Sequence, residues 1–583
     1  MLIENLATFA ADSLLDADLV IVGGGPAGLA IAGEFLGTSA RVLVLESGLL
    51  EEASIHAELS EVESVGEPAS DAQIRERSAV HGASPTWKQE MQPYSARCRA
   101  LGGTTNAWVG KSAAFDAIDF EKRAWVPYSG WPISRPTLSA YLDRAARVLN
   151  LGPNCYDEGF WKLIGLDNPQ PQLSEEDLQS FFWQFARSRV ARFDFMRFGQ
   201  EFTTFRADNV CVLLNATVTE ISLNAEGNSF SGLRIATIDG VRSRVTAKLG
   251  VVAASGIENA RLLLASNRVQ SRGVGNDHDL VGRFLMDHAS ARVGRFETDD
   301  TAPIVQYFGF YGLRHQRRTH MYMRGLAPTP ELQERERLLN SAVYFMQERS
   351  PDDPWDAIKR LLQRTSNDVL RDSASIVANA PLLARGLGVK ALASEATPGF
   401  VRDLLKAAPQ GRGDAAPKKV QHRGWPHKLT SISINAVSEQ RPDPDSRITL
   451  ADRTDRLGVP LPRVDWRIND DERLTIVRIA RLVRQGFVRV GLPQPILQPW
   501  VDEERWRDGV IIDMAHTMGT TRMSGDPKSG VVDENCRVHG VRGLYVAGGS
   551  IFPTGGHANP TLMIIAFAIR LADTIKGQLA TAK

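Results

Sequence analysis

The first residues whose types and spacing could do chemistry are three glycines and an acidic residue near the N-terminus. Gly23, Gly25 and Gly28 form a G-x-G-x-x-G pattern, and Glu46 follows Gly28 by 18 residues. The first glycine allows a tight turn, the second lets backbone approach a pyrophosphate, and the third lets a helix lie close to a strand. A carboxylate at the position of Glu46 accepts hydrogen bonds from ribose hydroxyls and would repel a ribose phosphate. The pattern predicts a dinucleotide site with NADP as the least favoured occupant, while NAD and FAD both stay open.

A second set of reactive side chains lies in glycine-rich loops near the C-terminus. His516 occurs in the segment HTMGTTRM, and His557 and Asn559 occur in GGHANPT. An imidazole can accept a proton, and an amide can donate a hydrogen bond. A single loop histidine is more often a surface or packing residue, but loops attached to a nucleotide-binding sheet commonly carry function. We therefore treat this set as a candidate catalytic site.

The elements around the glycines would position a ligand. Residues 19–22 predict a buried parallel strand, residues 26–36 a helix with Pro26 in its first turn, and residues 41–45 a second strand that ends at Glu46. The free N–H groups and the dipole at the start of that helix would hold phosphates. The order strand, helix, strand predicts a Rossmann-like α/β unit.

Further elements follow in two groups. Strands are predicted at residues 210–214, 218–223, 233–238, 245–247 and 250–254, and the last, followed by a turn and a helix, is typical of a doubly wound sheet. The region 289–510 differs in character. It predicts strands at 304–311, 322, 343–346, 429–436 and 447–450, helices at 355–405 and 470–489, and a linker at 406–419. We interpret this region as a second, substrate-side domain inserted between pieces of the nucleotide domain.

One cluster in this second region has two interpretations. Aromatic and basic residues alternate there, and they either line a substrate site or, as is more usual, form a solvated sheet face. The cluster consists of Tyr307, Phe308, Tyr311, Arg314, Arg317 and Arg318.

Charge and cysteine content argue against several classes of protein. Lys and Arg number 68, as do Asp and Glu, so the formal charge is zero and nucleic acid is not an expected partner. The cysteines, Cys98, Cys155, Cys211 and Cys536, have neither zinc nor iron–sulfur spacing, and we expect no metal. The N-terminus lacks a cationic region followed by an apolar one, and no apolar run reaches the roughly 18 residues of a membrane span. We expect a cytoplasmic protein without a membrane span.

Several motifs together resemble the glucose–methanol–choline (GMC) oxidoreductase family over nearly the whole chain. They are GGGPAG with Glu46, LGGTTNAW, SGWPIS, DLVGRFLMDH, EQRPDPDSRITL, HTMGTTRM and HANPTLMIIAFAIR. The resemblance implies FAD rather than NAD. It also implies a non-contiguous, Rossmann-like α/β FAD-binding domain (residues 15–120, 205–288 and 510–583) and an inserted α+β, sheet-based substrate-binding domain (residues 121–204 and 289–509). The cofactor-binding residues implied by the motifs are Gly23, Gly25, Pro26, Ala27, Gly28, Glu46, Gly103, Thr104, Asn106, Ala107, Val218, Ala254, Gly549, Ser550, Asn559, Pro560 and Thr561.

By the same resemblance the catalytic histidine falls on His516 and its partner on Asn559. Oxidation of an alcohol requires removal of the hydroxyl proton while a hydride leaves the carbon for flavin N5. His516 would be the base, and Asn559 would donate a hydrogen bond to the oxygen as its charge grows. His557 is the less favoured candidate for contact with substrate.

The chain departs from some members of the family in the loop to which they attach the flavin. Some relatives attach it covalently through a histidine in the G-G-x-x-x-H loop, but this chain has Ala107 at that place. We therefore expect non-covalent FAD. The segments SGWPIS and NPT resemble the bacterial branch near pyranose oxidases, glycoside 3-oxidases and the flavoprotein subunit of fructose dehydrogenases, which favours a secondary hydroxyl on a sugar or glycoside. Electrons would pass to O₂ or a quinone-type acceptor. The sequence leaves open whether the chain forms a homo-oligomer.

Other functions remain open alternatives at this point. The same scaffold could act on a non-sugar alcohol, or catalyse a reaction without net redox, as hydroxynitrile lyases of the family do. A flavin-binding protein without catalysis is a third alternative, and it requires His516 to be dispensable.

Overall fold

The computed structural model of the protein describes residues 2–166, 171, 173, 177–191, 194–316, 318–362, 364–393, 420–423, 427–503 and 505–581. Within these residues the strands are, in chain order, β1 (Leu2–Asn5), β2 (Leu14–Val22), β3 (Val42–Leu45), β4 (Glu63–Ser64), β5 (Lys111–Ser112), β6 (Leu178–Phe185), β7 (Val210–Leu214), β8 (Thr217–Leu223), β9 (Phe230–Ala236), β10 (Arg242–Val252), β11 (Ala289–Glu297), β12 (Phe310–His315), β13 (Arg318–Pro328), β14 (Ser341–Arg349), β15 (Val420–Arg423), β16 (Leu429–Ser438), β17 (Arg447–Thr454), β18 (Pro460–Asp465), β19 (Ile496–Leu497) and β20 (Leu544–Val546).

The α-helices of the same residues connect these strands and cover the sheets. They are α1 (Pro26–Glu34), α2 (Ser54–Ala57), α3 (Asp71–His81), α4 (Ser139–Val148), α5 (Gly159–Ile164), α6 (Phe198–Phe202), α7 (Gly256–Ala265), α8 (Thr301–Phe308), α9 (Pro330–Glu336), α10 (Pro354–Leu362), α11 (Val369–Ala378), α12 (Ala380–Ala393), α13 (Asp470–Arg489), α14 (Pro499–Asp502) and α15 (Thr561–Thr581).

The first sheet is largely parallel and contains the strand that leads into the glycine pattern. Its order is β1-β7-β3-β2-β10-β9-β8, and β20 also pairs with β10. Leu19, Val20 and Ile21, near the end of β2, are fully buried because helices cover both faces of a parallel sheet. As predicted, β2, α1 and β3 follow one another, so the carboxyl ends of β2, β3, β10 and β20 lie at one edge of the sheet.

Two strands predicted in this sheet are in fact one. Residues 245–247 and 250–254 belong to the continuous strand β10, which ends at Val252. Its first half pairs antiparallel with β9, and its last residues pair parallel with β20. Because β10 changes its partner from β9 to β20 along its length, its burial pattern also changes. The sequence therefore resembles that of two separate strands.

The second sheet is antiparallel and lies in the predicted substrate-side region. Its order is β15-β12-β13-β14-β16-β11-β19, with β6 paired to β13 and β5 paired to β6. α13, predicted with the same bounds, packs on β11, β14 and β16 and shares a hydrophobic cluster with them. The helix starts at a capping box formed by Asn469 and Glu472, a clear sequence signal.

The prediction of a strand at 304–311 was wrong for its first part. Residues 301–308 form α8, and only Phe310 onwards is a strand. Ile304 and Phe308, four residues apart, share one face of the helix and are both buried. Phe308 stacks there on Phe487. The spacing of four residues therefore fits a helix, although the residue types favour strands.

The single helical stretch predicted at 355–405 consists, where the structure describes it, of α10, α11 and α12. Residues 394–405, and the linker predicted at 406–419, lie outside the described residues.

Some segments cross the predicted division into domains. β1 pairs with β7 in the first sheet although it precedes residue 15, and β5 belongs to the second sheet although it precedes residue 121. β17 and β18, expected on the substrate side, form a small sheet with β4 and pack against α7. Arg261 of α7 contacts Asp455 at 2.7 Å there. The two-domain division itself stays a prediction.

Among the helices of the described residues, none combines the length and the apolar composition needed to cross a bilayer.

Candidate active site

A cavity lies where the parallel strands of the first sheet end. Its walls include Gly23 after β2, Glu46 after β3, Ala253 after β10 and Gly548 after β20. The space open to the centres of water molecules measures about 370 Å³. Ligands of α/β proteins typically bind in such a crevice at the carboxyl ends of the strands.

The glycine pattern forms the turn between β2 and α1 as the sequence predicts. Gly23 has a φ of +108°, and a Cβ on it would lie 2.5 Å from the Ala253 carbonyl oxygen. A Cβ on Gly28 would lie 2.1 Å from the Gly23 carbonyl oxygen, so Gly28 allows the close approach of helix and strand. A Cβ on Gly25 would meet nothing within 4 Å, which leaves the backbone accessible from the cavity.

Glu46 both lines the cavity and holds the turn. Its carboxylate accepts hydrogen bonds from the N–H of Gly24 at 2.9 Å and of Gly48 at 2.7 Å. Burial raises the pKa of Glu46, against these hydrogen bonds, which lower it. The carboxylate is thereby fixed at the end of β3, the position from which a ribose would be bound.

Several polar atoms on the cavity wall fit a bound dinucleotide. The hydroxyls of Ser255 and Thr217 are buried and have no hydrogen-bond partner among the described residues, and both residues line the cavity. Buried polar groups are normally paired, so such atoms indicate a ligand that supplies the partner. Together with the open backbone of Gly25 and the N-terminus of α1, they suit the phosphates and ribityl or ribose hydroxyls of FAD.

Most of the cofactor-binding residues predicted from the motifs line this cavity. The ones that do are Gly23, Gly25, Pro26, Ala27, Glu46, Gly103, Thr104, Ala107, Val218, Ala254, Gly549, Asn559, Pro560 and Thr561.

Gly28, Asn106 and Ser550 are not among the wall residues. Gly28 packs under the turn, the Asn106 amide donates to the Leu101 carbonyl oxygen at 3.1 Å, and the Ser550 hydroxyl is buried between Asn259 and Thr521. These three residues shape the loops behind the wall.

The predicted catalytic pair comes together at the wall. The Nδ2 of Asn559 lies 3.4 Å from the Nε2 of His516, and both residues line the cavity. Asn559 lies two residues before α15, which begins at Thr561, and His516 follows Ala515, whose φ is +56°.

A second imidazole, which the sequence analysis did not single out, holds His516 from the other side. The Nδ1 of His288 lies 2.9 Å from the Nδ1 of His516, and the Nε2 of His288 lies 3.3 Å from the Gly555 carbonyl oxygen. A carbonyl oxygen only accepts, so the His288 Nε2–H donates to it and the Nδ1 of neutral His288 accepts from His516. His516 then carries its proton on Nδ1 and has a lone pair on Nε2, beside the Asn559 amide.

Both histidines are neutral at ordinary pH. Burial is the main cause that lowers the pKa of His288, to about 4, and the pKa of His516, well below its usual value. The neighbouring basic groups of His288 and Lys111 lower the pKa of His516 further. A neutral imidazole with a free Nε2 lone pair is the form that can accept a proton.

Asp287 fixes the loop rather than the ring. Its carboxylate accepts from the backbone N–H of His288 at 2.7 Å, and of Met514 and His516 at 2.9 Å each. Burial, and then the charge of Asp513, raise the pKa of Asp287 to about 8 against these donors. One side chain therefore sets the backbone position of both imidazoles.

His557 belongs to a different, buried network. Its Nδ1 lies 3.1 Å from the amide oxygen of Asn340, whose Nδ2 donates to Asp116 and Asp119. It does not line the cavity, and burial lowers its pKa to about 3. It packs behind the site.

The described members of the aromatic and basic cluster of the second region do not line the cavity either. Phe308 and Tyr311 are buried in hydrophobic clusters under the second sheet, and Arg317 lies outside the described residues. For Phe308 and Tyr311, neither predicted alternative was right.

Sequence reasoning missed His288, Asp287 and Lys111, a further wall residue. The first two end the motif DLVGRFLMDH, so an adjacent acid and histidine were a usable signal. Lys111 follows the loop LGGTTNAW by three residues and has no local signal, because only the second sheet gives it neighbours.

Comparisons with known proteins show which family this chain resembles. Residues 442–568 match the C-terminal domain of the GMC oxidoreductases. The large subunit of fructose dehydrogenase from Gluconobacter japonicus is 25% identical over 63% of this chain, which spans only 54% of that subunit. 2-Methyl-1,2-propanediol dehydrogenase from Mycolicibacterium austroafricanum is 25% identical over 97% of this chain and 96% of that enzyme. A C-glycoside 3-oxidase from Microbacterium trichothecenolyticum is 31% identical over 29% of this chain and 32% of that enzyme.

Solved structures share the fold at low identity. Formate oxidase from Aspergillus oryzae RIB40 superimposes with a TM-score of 0.52 and 15% identity over 98% of this chain and all of that one. Pyridoxine 4-oxidase from Mesorbium loti superimposes with a TM-score of 0.51 and 15% identity, over 96% of this chain and 99% of that one. The predicted fold class and the predicted family resemblance are confirmed. The relatives are named oxidases and dehydrogenases, which supports the predicted class of FAD-dependent alcohol oxidoreductase, while the substrate and the mode of FAD attachment stay predictions.

Proposed function

We propose that this chain, a GMC oxidoreductase, oxidises a secondary hydroxyl of a sugar or glycoside to a ketone. The observation that carries the proposal is the 3.4 Å contact of Asn559 with the Nε2 of His516 on the wall of the dinucleotide cavity. Relatives named fructose dehydrogenase and C-glycoside 3-oxidase favour a sugar or glycoside over other alcohols.

The alcohol loses a proton from oxygen and a hydride from carbon. His516, neutral and with its lone pair on Nε2, accepts the hydroxyl proton, and the typical contribution of such a base is about 10²–10⁴-fold. Asn559 donates an N–H to the same oxygen as it becomes negative, and because an amide cannot take the proton it does not compete with the base. FAD, when bound, supplies the two-electron acceptor for the hydride.

His288 and Asp287 hold His516 in the tautomer and position in which it can accept a proton. The His288 Nδ1 holds the proton of His516 on the side away from the substrate, and it continues to accept that hydrogen bond once His516 is protonated on both nitrogens. Asp287 fixes the backbone of the loop, so little reorganisation is needed when substrate binds.

The remaining parts of the proposal concern the cofactor and its reoxidation. Ala107 at the place of the covalent histidine favours non-covalent FAD. O₂ or a quinone-type compound would accept the electrons. No group of metal-ligating side chains occurs in the described residues, and no metal is part of the proposal.

An alternative function is oxidation of a small non-sugar diol. The end-to-end alignment with 2-methyl-1,2-propanediol dehydrogenase favours it, because the sugar-related relatives align over shorter segments.

Anaerobic reduction of the holoenzyme tests both functions. The flavin absorbance near 450 nm should bleach with one or more members of a panel of free sugars, O-glycosides and C-glycosides, whereas bleaching by 2-methyl-1,2-propanediol alone would support the alternative. His516→Ala should slow bleaching by at least about 100-fold, and His278→Ala, which changes an exposed histidine, should leave it unchanged. Cyanide release from cyanohydrins without bleaching would contradict a redox function.

A further inference from the structure

Lys111 is a cation on the same wall as His516 and Asn559. Its ammonium lies 3.6 Å from the ring centre of Tyr344 and 4.1 Å from that of Trp183, and its residue lines the cavity. Its charge contributes to lowering the pKa values of His516 and His557, so it stands near the proposed reaction position.

The other strongly charged wall residues have partners of opposite charge or several hydrogen bonds. Arg97 and Arg99 pair with Glu258, Arg261 pairs with Asp455, and Glu46 accepts from backbone. Lys111 differs, because the described residues offer it neither an acid nor a hydrogen-bond acceptor. Burial lowers its pKa to about 7.

The two aromatic rings stabilise the ammonium without neutralising it. A cation over a ring face is attracted by the ring's electron density, yet the rings accept no strong hydrogen bond and carry no charge. The N–H groups that point away from the rings are therefore available to a ligand in the cavity. A buried, unpaired cation is unfavourable until an anion arrives.

We propose that Lys111 binds a carboxylate of the substrate, so that the alcohol oxidised by this enzyme is an acidic one, such as a glycoside of a uronic acid. The proposal rests on the proposed function and specifies its substrate class. A carboxylate is favoured over a phosphate, because at this end of the cavity the described residues present a single free positive charge. Lys111 is a specificity-determining residue in this role and takes no proton from the reacting hydroxyl.

The first test compares a methyl glycoside with the methyl glycoside of the corresponding uronic acid in anaerobic flavin reduction. The acid should be the better substrate, and Lys111→Met should lower kcat/KM for the acid by about 10- to 100-fold while changing that for the neutral glycoside less than about threefold. Lys111→Arg should retain much of the discrimination. Lys122→Met, the same change at an exposed lysine, should behave as wild type.

A second test measures binding without turnover, so it stays informative if sugars prove not to be substrates. Acetate should perturb the visible flavin spectrum of the holoenzyme in a saturable way, acetamide should not, and Lys111→Met should weaken acetate binding at least about tenfold. Failure of every sugar with intact acetate binding would overturn the sugar assignment and leave the anion site.

Three results would overturn the role of Lys111. They are equal losses on the neutral and acidic glycosides, acetate binding that is unchanged in Lys111→Met, and a loss confined to the reaction of the reduced enzyme with O₂.

Discussion

His288 should set the tautomer of the catalytic base, and its replacement should slow the proton-removing step without removing the base itself. The His516 Nδ1–H donates to the His288 Nδ1 at 2.9 Å, and His288 in turn donates to Gly555. In His288→Leu the Nδ1–H loses its acceptor inside a buried site. The competent tautomer then carries an unsatisfied donor, which costs about 1–3 kcal/mol. The other tautomer places the proton on Nε2, where it blocks the lone pair that faces the substrate.

The expected loss follows from that cost. A penalty of about 1–3 kcal/mol corresponds to a decrease of about 5- to 150-fold in the rate of flavin reduction, since about 1.4 kcal/mol is a factor of ten. His288→Asn keeps an acceptor, its amide oxygen, close to the former Nδ1, so its loss should stay below about fivefold. The loss in either variant should be smaller than that of His516→Ala, which removes the base.

Anaerobic stopped-flow reduction with the best substrate of the panel measures these rates. FAD content and the melting temperature of each variant control for misfolding, and His278→Leu provides the matched change at an exposed histidine. Reduction of the His288→Leu enzyme at the wild-type rate would refute the tautomer argument. So would an Asn variant as slow as the Leu variant.

Other consequences of the same contacts can be measured. Because burial holds the pKa of His516 well below 6.5, its base form persists above that pH, so kcat/KM for an uncharged substrate should be level there and fall only at lower pH. His288→Asp would place an anion beside the ring, raise that pKa and move the fall to higher pH; an unmoved pH–rate profile would contradict the contact. Glu46→Ala should retain less FAD through gel filtration than Glu46→Gln, since Gln keeps an acceptor for Gly24 and Gly48, and equal flavin-to-protein absorbance ratios would show that these bonds do not matter. Acid precipitation should release all the FAD because residue 107 is alanine, and yellow colour left in the pellet would disprove non-covalent binding.

The sequence predicted elements whose signals are local. β2, α1 and β3 follow from an apolar run, a glycine pattern and a second run. α13 has the predicted bounds because a capping box starts it and a regular apolar face continues to its end. Predictions failed where a neighbour decided the structure. α8 has β-favouring residue types but is helical, since Ile304 and Phe308 must both reach the same apolar cluster.

The candidate site likewise contains residues that have a local sequence signal and residues whose role depends on distant neighbours. Residues in glycine-rich loops could be selected from the sequence, because loops attached to a nucleotide-binding sheet commonly carry function. The motif DLVGRFLMDH points to His288, but the role of His288 could not be predicted, since its partner is 228 residues away and that role depends on which ring nitrogen faces which. Lys111 could not either, because a lysine is ordinarily exposed and only the packing of Trp183 and Tyr344 around it makes it unusual.

The charges around His516 explain why a second imidazole, rather than a carboxylate, orients the base. A carboxylate on Nδ1 would stabilise the protonated ring and raise its pKa, so a larger fraction of the base would already hold a proton at a given pH. Asp287 is close, but its oxygens are taken up by backbone N–H groups. His288 supplies orientation without charge, and Asn559 supplies a donor without acidity. The side chains in contact with the His516 ring, His288 and Asn559, are thus neutral before reaction, and the charge of Lys111 disfavours protonation of His516 until a substrate anion balances it.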